Sequence, residues 1–254
     1  MTDAMLYLVD SGCKWRQLPH DFPPHSTVHS FYRYARISGL WDKVLKHLVK
    51  KTRTNVGRKE SPSYTIIDSQ SVKTVAGSKE RGIDGGKPTG RKRHIVVDVL
   101  GCLLSVVVHA ANIHDTKGGI STSKRAYAQY PSIQKFCADA GYRLSAGNDH
   151  DSVHAVELLE KVEISGSNVL ADRAYGAKTI RAYISDQGDS YVLPPQSNVS
   201  EPWPVDWCLY KERHWVECFF QKLKWFRRIA TRYDKLDASF LAFVYIAAIA
   251  ILLI

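Results

Sequence analysis

Past a proline-rich loop, LPHDFPPHS, apolar residues recur at helical spacing. The spacing predicts a helix from Ser26 or Thr27 to Ile37, an interruption at Gly39, and a second helix opened by Leu40, Trp41, Val44, Leu45, Leu48 and Val49. From Tyr64 the period changes. YTIID is a short β-rich run ending in a carboxylate, and RHIVVDVLG and CLLSVVVHA are β-branched runs joined by a tight turn, which predicts a hairpin. Helices and strands then alternate: a helix over Lys117–Tyr130, a strand KFCADA, a helix over Val153–Val162, a strand SNVLAD, a helix over Ala177–Gln187 and a strand SYVLP. An antiparallel start followed by this alternation predicts an α/β fold, a mixed sheet covered by helices on both faces and preceded by a small helical module.

The stretch YKERHWVECFFQKLKWF reads as an amphipathic helix. At about 100° per residue, Tyr210, Arg213, Glu217 and Lys224 fall within roughly 60° of one another, with Val216, Phe219, Leu223, Phe226 and Ala230 opposite. A solvated stripe is the plain reading of such a polar face. The tail FLAFVYIAAIAILLI is apolar for 15 residues. That falls short of the roughly 20 a spanning helix needs, so a buried terminal helix and no membrane segment are expected.

Composition narrows the partner. Among 254 residues, 35 Lys and Arg face 25 Asp and Glu, a net charge of +10 that favours a polyanion. The basic residues cluster at Lys43–Lys59, at Lys73–His94, which contains Arg91, Lys92 and Arg93, and at Cys208–Lys235. Interleaved with Trp and Tyr, they resemble a phosphate-tracking surface, which points to DNA. Five scattered cysteines without a C-x-x-C suit a reducing cytosol, and Cys13 with His20, His25 and His29 matches no zinc-ligand spacing.

Two aspartates end apolar runs, Asp68 in TIID and Asp172 in NVLAD. Either could cap a following turn. Ligands of α/β sheets also gather outside the carboxyl ends of strands. Two such aspartates with a glutamate on a late helix supply the hard oxygen ligands of a two-metal phosphoryl-transfer site.

YKERHWVECFFQKLK fits Y-x2-R-x3-E-x6-K, and the chain resembles the bacterial insertion-sequence DDE transposases that carry this YREK signature. The likeness extends from GCKWRQLPHDFPPHSTV through IDSQSVK, GRKRHIVVD and NVLADRAYG to RYDKLDASFLAFVYIAA. It implies a ribonuclease-H-like catalytic fold over residues 59–254, a helical N-terminal module over 1–58 that could bind DNA, and cleavage and strand transfer at element ends. It further implies Asp68, Asp172 and Glu217 as ligands of two Mg²⁺ ions, with Mn²⁺ as a substitute. Tyr210, Arg213 and Lys224 become DNA contacts, joined by Arg91, Lys92 and Arg93 from the basic cluster. Double-stranded DNA is the expected partner, with a homodimer in the DNA complex and a cytoplasmic, nucleoid-associated location.

One segment, around 109–176, appears twice. NIHDT is echoed by NDHDS, and CADAGY by LADRAY. The chain reads as a fusion of two related transposases joined near Arg143 and Leu144, which makes Asp139 a rival to Asp172. Asp172 is preferred because it lies on the same side of the seam as Glu217. A DNA-binding remnant without cleavage is the alternative function.

Overall fold

The computed structural model describes residues 1–254 apart from 75–81, 85–86, 114, 139–167, 171–175, 189, 198, 212–213 and 254. Helix α1 (Thr2–Ser11) ends at Gly12, whose φ of 66° turns its N–H back to the Leu8 carbonyl. Helices α2 (His25–Ile37) and α3 (Leu40–Asn55) follow at the predicted places, divided at Gly39 with φ 67°. Val28, Tyr32 and Ala35 of α2 and Trp41, Leu45 and Val49 of α3 are buried. All three helices pack on α9 (Asp237–Leu253), so the N-terminal module shares its core with the end of the chain. Helix α9 is apolar on every side because it is enclosed: Phe240, Phe243, Val244 and Ala247 are fully buried. No helix among the described residues is long and apolar enough to cross a membrane.

Strand β1 (Tyr64–Thr74) is central. β2 (Gly82–Asp84) pairs with the start of β3 (Lys87–Asp98), and β3 lies antiparallel to β1 on one side and to β4 (Leu103–Ala110) on the other. Helix α4 (Asp115–Gln129) packs across these strands, and β5 (Lys135–Ala138) then pairs with β1 in parallel on its free edge. The order β4-β3-β1-β5 is ribonuclease-H-like, as expected. The turn between β3 and β4 is built by Asp98, whose Oδ1 accepts the N–H groups of Leu100 and Cys102 at 2.9 Å each, and by Gly101 at φ 74°.

Three expectations change. Strand β1 does not stop at Asp68 but continues through SQSVKT, because this polar run pairs residue for residue with the equally polar His94 to Arg91 of β3. Second, among the described residues β6 (Asn168–Leu170), from the predicted strand SNVLAD, does not pair with the main sheet. It forms a parallel pair with β7 (Ser190–Val192), against which α5 (Lys178–Asp186) packs. Third, the late helix, described over α6 (Trp207–Lys211) and α7 (His214–Trp225) on either side of residues 212–213, does not run on to Ala230: Phe226 leaves helical geometry at φ −84°, ψ 108° before the short α8 (Arg227–Ala230). That shift in phase exposes Ala230, predicted on the buried face, and buries Ile229 instead. The predicted helix Val153–Val162, the proposed seam at Arg143 and Leu144, and Asp139, Asp172 and Arg213 lie outside the described residues.

Candidate active site

Asp68 is half-buried at the fifth position of β1, directly opposite Ile95 of β3. On its other edge the parallel partner β5 is described as far as Ala138, which pairs with Ile67. A second parallel strand, β8 (Thr231–Arg232), takes up that edge only at Lys73 and Thr74. Among the described residues, β5 pairs with Tyr64–Ile67 and β8 with Lys73–Thr74, which puts Asp68 just past the described end of β5. Ligands of α/β sheets gather outside the carboxyl ends of strands. The Asp68 Oδ1 accepts the N–H of Ser69 at 2.6 Å.

Helix α7 lies across β1 and β3. Val216, Phe219, Phe220 and Leu223 turn to the core, as the apolar stripe requires. At its start Trp215 covers the β3–β4 turn, with its Cε3 3.8 Å from where a Gly101 Cβ would sit. One turn and more later, the Phe220 ring lies 5.6 Å from the Arg93 guanidinium, at the level of Gln70 in β1. Glu217 falls between these two anchors along the helix, and Asp68 falls between the same two levels along the strand. The glutamate side chain is 58% exposed, and among the described residues it meets His214, whose Nδ1 lies 3.4 Å from Oε2, long for a hydrogen bond. Lys224 is exposed, seven residues on, and returns to nearly the same helical face; Tyr210 is half-buried.

Arg91, Lys92 and Arg93, expected to contact DNA, are buried to 3%, 5% and 1% exposure. Their strand is the reason. Extending β1 past Asp68 draws β3 along with it, and its basic residues are enclosed under α7 and α9. Arg91 donates to Asp237, Arg93 to Gln70 and to the Ile229 carbonyl at 3.4 Å. Burial pulls the Arg93 guanidinium down to about 9, and guanidinium groups keep their proton in proteins. The charge is met by these acceptors and by the Phe220 ring face. Arg91 and Arg93 are thus held inside by these partners, and Lys92 is buried beside them, at odds with the exposed surface expected of all three.

The carboxylate oxygens of Asp68 and Glu217 suit a hard divalent ion. Among the described residues no group of three His, Cys, Asp or Glu side chains converges, and the rival aspartates lie outside those residues. Sequence reasoning missed a second polar region. Trp15, Arg228, Tyr233, Asp234 and Lys235 line one cleft, though they come from opposite ends of the chain. Nothing in the linear order brings them together; only the containing motif GCKWRQ and RYDK were visible.

Comparison with known proteins follows the same lines. Residues 1–45 match the family model described as a putative transposase of the IS4/5 family. Residues 59–146 and 142–202 match the transposase DDE domain. A putative transposase for the insertion sequence element IS6501 of Brucella ovis is 42% identical over 105 residues, covering 40% of this chain and 78% of that protein. Among solved structures, the catalytic domain of Mos1 mariner transposase aligns over 73% of this chain and 90% of its own at 8% identity with a TM-score of 0.24. The Mos1 paired-end complex with the left transposon end aligns over 91% and 77% at 10% identity with a TM-score of 0.19. Likenesses this slight carry no argument.

Proposed function

The chain belongs to the IS4/5 family of DDE transposases, and from that premise we propose that it cuts and rejoins DNA strands at the ends of an insertion sequence. Asp68 and Glu217 serve as carboxylate ligands of Mg²⁺, two ions in all, and Tyr210, Arg213 and Lys224 hold the phosphates beside them. Bound there, Mg²⁺ supplies the Lewis acidity that polarises the attacking and departing oxygens. In the first step the oxygen of water bonds to the phosphorus at the element end, the bond to the 3′ oxygen breaks, and a 3′-hydroxyl is released. In the second that hydroxyl oxygen, losing its proton, attacks a phosphorus of target DNA and displaces another 3′ oxygen. The protein's own part is to fix the strand in line and exclude competing water.

The observation that carries the reading is the register around Asp68. Strand β5 occupies the seat beside β1, and Ala138 pairs with Ile67, the residue before Asp68. Asp139 follows Ala138 directly in sequence, as Asp68 follows Ile67, and that parallel supports pairing the two aspartates in one site. Position relative to the seam favoured Asp172, but β6, which precedes it, pairs with β7 and not with β1. Register therefore favours Asp139 as the second aspartate.

Mg²⁺-dependent nicking of element-end DNA tests this. The parent should nick, while Asp68→Asn, Glu217→Gln and Asp139→Asn should each lose about 100-fold or more, and Asp172→Asn should stay within a few-fold of the parent. Equal nicking by the parent, Asp68→Asn and Glu217→Gln would end the proposal. DNA binding without any cleavage by the parent would leave only a DNA-binding remnant.

A further inference from the structure

The cleft that sequence reasoning missed lies between the N-terminal module and the segment that follows α7. It has a volume of about 660 Å³, within the range of small-ligand pockets and large enough for a nucleotide. Its walls are fixed. Arg228, 4% exposed, donates from Nη1 to the Cys13 carbonyl at 3.1 Å and from Nη2 to Asp234 Oδ1 at 2.9 Å, which bolts one wall to the other. Tyr32 adds a second tie, its hydroxyl donating to the Ser239 carbonyl at 2.8 Å.

The lining has a particular chemistry. Trp15 is half-buried, held edge-on by His29 at 4.8 Å and backed by Arg228 at 5.6 Å from its ring, while Tyr233 is 47% exposed. Two aromatic side chains thus line a single cleft. Lys14 and Lys235 are exposed at its rim, and Arg228 lies in its wall. Asp234 is nine-tenths buried and held by Arg228, so it belongs to the wall and leaves the cations at the rim to face a ligand. Aromatic faces for a flat ring and cations for a phosphate are together what a nucleotide asks of a site.

We propose that this cleft receives one unstacked nucleotide of a DNA strand, stacked on Tyr233 and Trp15 with its phosphate near Lys235 and Lys14. The proposal rests on the reading of the chain as a transposase only for the choice of a DNA strand over a free nucleotide. In a duplex every base is stacked and paired, so the cleft selects strand ends, overhangs or extruded bases.

The test uses the full chain and two DNA probes, a blunt duplex and the same duplex with a short single-stranded overhang carrying 2-aminopurine. The overhang probe should bind about tenfold more tightly and lose 2-aminopurine emission as the base stacks. Tyr233→Ala should remove that preference, Tyr233→Phe should restore it, and Lys235→Ala should lower the log–log salt slope of overhang binding by about 0.7. Circular dichroism confirms that these exposed-residue variants fold. Equal binding of the two probes, or a preference unchanged by Tyr233→Ala, would overturn the proposal. So would free 2-aminopurine deoxynucleoside monophosphate binding as tightly as the overhang. Glu217→Gln should leave the preference intact, so the two readings fail separately: an intact preference without nicking defeats the catalytic assignment, and nicking without the preference defeats this one.

Discussion

Asp98 joins the helical module to the catalytic sheet, and its removal gives a sharp prediction. Its carboxylate is fully buried, and Arg53 of α3, with a side chain 6% exposed, donates to its Oδ2 from Nη1. The Arg53 Nε also donates to the Lys59 carbonyl at 2.8 Å. Asp98→Ala would leave the buried guanidinium with the Lys59 carbonyl but no carboxylate and would orphan the N–H groups of Leu100 and Cys102. Breaking a buried pair from one side costs about 3–5 kcal/mol, because the remaining charge stays desolvated and unmatched. Each orphaned amide adds to this unless water reaches it. We therefore expect Asp98→Ala to lower stability by about 4 kcal/mol, read from the urea midpoint at unchanged m. The double variant Arg53→Met, Asp98→Ala should cost less than the sum of the single changes, with a coupling of about 2 kcal/mol. A loss under about 1 kcal/mol for Asp98→Ala, or strictly additive costs, would refute the view that this pair anchors α3 to β3.

Other outcomes follow from the same geometry. Gly118 sits in α4 over the stacked rings of His94 and His109, 4.6 Å apart, and an added Cβ would overlap both Nε2 atoms; Gly118→Ala should cost about 1–3 kcal/mol, measured as a lower melting temperature. Lys224→Ala should reduce the log–log salt slope of duplex binding by about 0.9, and an unchanged slope would remove it from the phosphate contacts. Burial raises the Tyr245 hydroxyl to about 12, and burial with the nearby Asp98 carboxylate raises the Cys102 thiol further. In the unfolded chain these groups release their protons near pH 10 and about 8.5–9, while the folded chain retains them. The unfolded state then binds fewer protons, so stability should fall from about pH 9 upward. Melting curves across alkaline pH check this, and Cys102→Ala should flatten the first part of the decline.

Much of the fold was legible because it depends on local periodicity. The 3.6-residue stripes of α2, α3 and α7 and the β-branched runs of β3 and β4 each name their buried side without any partner being known. Glu217 and Lys224 were assigned to the solvent face of their helix on the same grounds, and both are exposed. What linear order could not decide was which remote segments meet. Charge along the chain grouped Arg91, Lys92 and Arg93 with the surface, yet strand pairing with Ser71, Gln70 and their neighbours carries them inside. Two similar aspartate strands, KFCADA and SNVLAD, were equivalent by pattern. Only the sheet distinguishes them, because the edge of β1 at Ile67 can hydrogen-bond to one strand at a time, and β5 takes that place while β6 pairs with β7. The cleft between Trp15 and Tyr233 belongs wholly to the tertiary structure, since its walls are more than 200 residues apart in sequence and are joined by Arg228 and Cys13, |i−j| = 215. Sequence determined which faces are apolar and which residue types were on hand; long-range packing chose their neighbours, and neighbours set whether a charge is a contact, a clamp or a ligand.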